Sequence, residues 1–87
     1  TARRELQKFL DMRKTESKYL RLLKYLAQGY NTWGELKYNF AKDKLKVADS
    51  QLLLYLNELR DYGFVEKAEE QYLIPDPLLV LAVKERF

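Results

Sequence analysis

The sequence predicts a mostly α-helical domain completed by one small β-hairpin, and three observations carry that expectation. Apolar residues recur at three- and four-residue steps through successive stretches, the period of an amphipathic helix. Gly29 and Gly63 fall where two of those stretches must stop, the position at which a helix turns left-handed. Between Gly63 and Pro75, two short apolar runs flank a polar turn, the pattern of a hairpin.

The elements follow in order. Residues 2–14 place Leu6, Phe9 and Leu10 on one side and charges elsewhere, an N-terminal helix over 1–14. Thr15 is positioned to cap a second helix, in which Tyr19, Leu22, Leu23 and Leu26 follow the i, i+3, i+4, i+7 rule up to Gly29. Thr32-Trp33-Gly34-Glu35 fits the capping box, so a short third helix starts there with Leu36 and Phe40 inward. Lysine-rich residues 41–46 read as a loop, with Val47 packing at its end. Asp49 or Ser50 then caps a fourth helix running to about Tyr62, with Leu52, Tyr55, Leu56 and Leu59 on one face. Residues 64–67 and 72–74 read as the two strands, joined by a turn over 68–71. Pro75 and Pro77 bracket Asp76, whose carboxylate caps a final helix over 78–87.

A tri-helical core over 15–62 followed by a hairpin over 63–74 is the order of a winged helix-turn-helix. An isolated hairpin is marginal in water, so this wing is expected to lie against the helices. All 87 residues make one domain, 1–87, because two would leave neither half a core. Starting at Thr1 and finishing on an apolar run, the chain reads as a segment of a longer protein.

Composition narrows the function. The chain has no cysteine and no histidine, which removes disulfides, thiolate–imidazole metal sites and Ser/His or Cys/His catalysis. Three scattered glycines build no phosphate-cradling loop. Asp76 lacks a partner carboxylate, base or nucleophile at fixed spacing, so no catalytic residue, metal or cofactor is expected. The longest apolar run, residues 78–83, is far short of the about 20 residues that cross a bilayer. No signal peptide leads the chain, and a cytoplasmic setting is the default.

Net charge is only +3, but it is unevenly distributed. Twelve basic residues stand against five acidic ones through Lys46, and four against eight from Val47 onward. Such polarity suggests a basic face meeting an anionic partner, protein or nucleic acid.

The run Tyr19-Leu20-Arg21-Leu22-Leu23-Lys24-Tyr25-Leu26-Ala27-Gln28-Gly29, followed by Thr32-Trp33-Gly34-Glu35-Leu36, resembles the opening of the winged helix carried C-terminally by archaeal P-loop ATPases of the AAA+/STAND type. Residues 52–59 with Asp61-Tyr62-Gly63-Phe64-Val65-Glu66-Lys67 resemble its third helix and first wing strand. Tyr72-Leu73-Ile74-Pro75-Asp76-Pro77-Leu78-Leu79 is similar to its aromatic strand running into Asp-Pro-Leu. After that motif the family often continues with further aromatic residues, where this chain has Val80-Leu81-Ala82-Val83. The resemblance implies an accessory module of an ATPase whose nucleotide site lies upstream, in the same protein.

Three surfaces are candidates. Lys14, Lys18, Arg21 and Lys24 draw a basic stripe, read as a docking face for an acidic surface, with the ATPase domain or another protein the first suspect and a nucleic-acid backbone the second; residues 42–46 extend it. The fourth helix takes the place that enters the major groove in DNA-binding relatives, and its outward residues are Gln51, Leu54, Asn57 and Glu58, with Ser50 and Asp61. Counted this way the face has two carboxylates and no cation, which a duplex repels, although Gln51 and Asn57 have the chemistry to read adenine. Glu69 and Glu70 make the wing tip acidic. Phe9, Leu81 and Phe87 offer apolar surface for a homodimer. Together these features favour a non-catalytic module acting through protein contacts over the alternative, a DNA-binding domain of a transcription or replication factor.

Overall fold

A computed structural model of the chain describes Arg4, Gln7, Lys8, Asp11 and residues 16–85. The elements run α1 (Glu16–Ala27), α2 (Trp33–Lys42), α3 (Asp49–Asp61), β1 (Glu66–Ala68), β2 (Gln71–Leu73) and α4 (Pro77–Glu85). The fold is mostly helical with one antiparallel hairpin, as the sequence predicts. Arg4, Gln7, Lys8 and Asp11 are helical and exposed, with Gln7 Nε2 donating to Asp11 Oδ1 at 2.7 Å. The remainder of the predicted N-terminal helix, the Thr15 cap and residues 86–87 lie outside the described residues.

One core unites the elements. Tyr19, Leu22, Leu23 and Leu26 of α1 meet Leu36 and Phe40 of α2 and Leu52, Tyr55, Leu56 and Leu59 of α3, all buried. The helical period therefore selects the inward set correctly. Leu79 and Val83 bring α4 onto the same cluster. Tyr25 and Phe40 meet edge to face, with ring centroids 5.0 Å apart, and Tyr19 packs against Tyr55 at 4.7 Å.

The three core helices end alike. Tyr30 N–H donates to the Tyr25 carbonyl and Gly29 N–H to Leu26, Leu45 to Phe40 and Lys44 to Ala41, Phe64 to Leu59 and Gly63 to Arg60, all at 2.9–3.1 Å. These are Schellman terminations, whose pivot residue must adopt the left-handed conformation. The pivots have φ of 104° at Gly29, 61° at Lys44 and 79° at Gly63. The middle helix thus turns on a lysine.

Element boundaries differ from the sequence reading for local reasons. Residues 41 and 42 belong to α2, because the helix continues until Lys44 turns it. The cap of α3 falls on Ala48, not Asp49 or Ser50, which sit in the first turn. An alanine side chain cannot accept, and Gln51 Oε1 accepts from the Ala48 N–H at 3.1 Å instead. Phe64 and Val65 precede the first strand, since they close α3 and fill the core. The second strand shifts by one to Gln71–Leu73, and α4 begins at Pro77.

The wing pairs Glu66 with Leu73, Lys67 with Tyr72 and Ala68 with Gln71. It lies against the helical body, as the marginal stability of a lone hairpin demands. Tyr72 is buried, its N–H donates to the Asn31 carbonyl at 2.7 Å, and Thr32 forms a bridge with Gln71. Two further caps are as expected. Thr32 Oγ1 accepts from the Glu35 N–H at 3.3 Å while donating to its carboxylate, and Asp76 Oδ1 accepts from the Leu78 N–H at 2.9 Å.

Candidate interaction surfaces

On α1, Lys18, Arg21 and Lys24 share a half-buried flank, and Lys14 lies outside the described residues. The stripe is not simply solvated. Arg21 reaches Asp43 at 3.3 Å, and Tyr25, inside the core rather than beside Lys24 on the surface, donates its hydroxyl to the same carboxylate and to the Asn39 carbonyl at 3.3 Å. Burial first, and then the hydrogen bond to Asp43, push the Tyr25 phenol well above its ordinary range. Arg21 and Tyr25 together pin the C-terminal end of α2 against α1. Lys24 lines a pocket of about 430 Å³ with Gln28, Tyr30 and Lys42.

Two of the four candidate residues on α3 have internal work. Glu58 Oε2 accepts from the Tyr19 hydroxyl at 2.5 Å, tying α3 to α1. Gln51 closes the start of its own helix. Leu54 and Asn57 remain exposed, as expected.

The outward face is wider than the four residues imply. Leu53 is 48 % exposed beside Leu54 at 52 %, and Arg60 is exposed as well. Leu53, Asn57 and Arg60 follow the i, i+4, i+7 rule, a signal the sequence carries. The expectation of a face without a cation is therefore corrected: Arg60 offsets Asp61, and Glu58 is engaged with Tyr19. Asn57, Arg60 and Asp61 line a pocket of about 480 Å³ whose other wall, Val65, Glu66 and Lys67, belongs to the wing. Lys67 Nζ sits 5.5 Å from the Tyr72 ring centre, a cation–π contact that holds it to the wing's own strand. Charge in this cleft is balanced, not basic.

Beyond α3, Leu78 and Leu81 on α4 are exposed at 65 % and 57 %. Leu81 is thus available as the homodimer reading requires, while Phe9 and Phe87 lie outside the described residues. Among the described residues no group of His, Cys, Asp or Glu is arranged to hold a metal ion, and no helix is long and apolar enough to cross a membrane.

Residues 13–74 match the family model described as the MCM protein C-terminal winged helix-turn-helix domain. Among solved structures, a Walker-type ATPase of Pyrococcus abyssi superposes with a TM-score of 0.79 at 22% sequence identity. The match covers 90% of this chain and 22% of the ATPase chain, so this chain corresponds to about a fifth of that protein. At that identity the likeness is one of fold. No curated protein matches the sequence.

Proposed function

From the fact that the chain belongs to the family of MCM protein C-terminal winged helix-turn-helix domains, we propose that it is a non-catalytic accessory or regulatory module of a larger ATPase, acting through protein contacts. The observation that carries this reading is the character of α3. The helix that would lie in a DNA groove presents an adjacent pair of exposed leucines, Leu53 and Leu54, above a charge-balanced Arg60 and Asp61. A duplex bearing one negative charge per about 1.7 Å rewards lysine and arginine there, and an apolar pair rewards a protein surface. The wing agrees, since its tip is Glu69 and Glu70 and Lys67 is held over Tyr72.

Likeness to a Walker-type ATPase supports the parent activity, and nucleotide-driven movement in such a parent would reposition the module and its exposed faces. A cysteine-free composition fits a cytoplasmic setting. The alternative, DNA binding, would draw on Lys18 and Lys24 of α1 rather than on α3. Anisotropy of a labelled random-sequence duplex separates the two. The module is expected to bind weakly, with a log–log salt slope of about −1 or shallower. A slope reporting several phosphates, flattened by Lys18→Gln and Lys24→Gln together, would replace protein contact with nucleic acid. Sedimentation of the isolated module is expected to give a monomer, and a dimer abolished by Leu81→Ser would make self-association the primary contact.

A further inference from the structure

We propose that the groove between the end of α2 and the start of α3 docks an acidic peptide segment that carries one apolar side chain. The inference rests on the protein-contact reading and gives it a location and a partner chemistry.

The groove has a volume of about 640 Å³, with Phe40, Leu45 and Val47 along its floor and Lys37, Lys44 and Lys46 at its rim. In sequence the charges of Lys42-Asp43-Lys44-Leu45-Lys46 nearly alternate. Folding separates them. Asp43 turns toward α1, where Tyr25 and Arg21 engage its carboxylate. Leu45 turns toward the core. Lys44 and Lys46 stay exposed on the groove, and neither has an ion pair among the described residues, whereas the partly exposed Asp43 between Lys42 and Lys44 is tied to α1.

Lys37 is already occupied, its Nζ donating to the Val47 carbonyl at 2.6 Å and pairing with Asp49 at 2.9 Å. Lys44 and Lys46 are left as two free cations beside a carbon floor. Lys44 also occupies the left-handed pivot that glycine fills at the ends of α1 and α3. A side chain there costs backbone energy, which the anchorage of Asp43 on α1 offsets.

Two neighbouring cations over an apolar floor complement a pair of carboxylates flanking a buried hydrophobe. A nucleic-acid backbone would extend along a longer row of cations and leave the floor uncovered.

The test uses the 87-residue chain and a fluorescein-labelled peptide of glutamates and aspartates around a central phenylalanine. Anisotropy is expected to report binding that weakens about fivefold in the Lys44→Gly/Lys46→Ser double variant, the loss of two exposed ion pairs. The same peptide with alanine in place of phenylalanine is expected to bind about tenfold more weakly. Because Lys44→Gly relieves the pivot, the double variant melts no lower than the parent, so lost binding is not lost folding. A Glu69→Lys/Glu70→Lys variant at the wing tip is expected to bind the peptide unchanged or more tightly.

Absence of peptide binding, or binding indifferent to the double variant and to the phenylalanine, would overturn the groove assignment. If the random duplex also fails to bind, protein contact stands and only its location is wrong. If the duplex binds with a steep salt slope and the double variant abolishes it, the basic edge is a phosphate contact, and both readings fall together.

Discussion

The ends of α2 and α3 are built on one hydrogen-bond plan with different residues at the pivot. At the end of α3, Gly63 adopts φ 79° without a Cβ to oppose it, and Phe64 folds back over Leu59. At the end of α2, Lys44 adopts φ 61° and Leu45 folds back over Phe40. The lysine is tolerated because the residue before it is held from outside: Asp43 is gripped by Tyr25 and Arg21 of α1. Side-chain anchorage across eighteen residues of chain offsets a local backbone cost. The glycine end carries the wing. The anchored end displays the basic edge.

The largest test removes the hydrophobic half of the anchored end. Phe40 is 1 % exposed and touches Tyr25, so Phe40→Ala is expected to cost about 3–5 kcal/mol by urea unfolding. Removing the polar half comes next. Tyr25→Phe deletes a hydrogen bond to a carboxylate and is expected to cost about 1.5–3 kcal/mol. A smaller loss would mean that Arg21 alone pins α2.

That anchor also has a pH signature. The folded phenol holds its proton beyond the pH at which an unfolded tyrosine releases it, so folded Tyr25 contributes stability below about pH 10. Above that pH the unfolded chain ionises while the folded one does not, and the melting temperature falls. Tyr25→Phe should flatten that alkaline decline, and an unchanged slope would deny the buried phenol its part.

Substitutions at the pivots bring the comparison to a single residue. Gly63→Ala is expected to cost about 1–2 kcal/mol, purely conformational, because a Cβ there meets nothing within 4 Å. Lys44→Gly should do the reverse and stabilise by about 0.5–1 kcal/mol in the same unfolding assay. If both changes destabilise equally, the pivots are not equivalent and the lysine contributes packing that glycine cannot replace.

Much of this division was legible in the chain. Leu52, Tyr55, Leu56 and Leu59 were placed inward by period alone, Gly29 and Gly63 as terminators by their position, and Thr32 and Asp76 as caps by their oxygen chemistry. Lys44 was not, since a lysine in a charged run gives no sign of a left-handed turn. Nor did the candidate sites divide as the helical wheel implied. Gln51 and Glu58 were placed on the outward face of their helix; Gln51 is exposed and Glu58 half-buried, and both also make bonds within the domain. Leu53 and Arg60, passed over, stand on the face those residues were meant to define.

The amino-acid order by itself determined the helices, their stops, the hairpin and the inward set, because period, capping and left-handed turns act over a few neighbouring residues. Only the tertiary structure decided which charges are spent. Tyr19 and Glu58 are thirty-nine residues apart, and Tyr25 and Asp43 eighteen, so each meeting depends on how three helices pack. A charge becomes surface or strut according to what packing sets opposite it, and no local pattern records that.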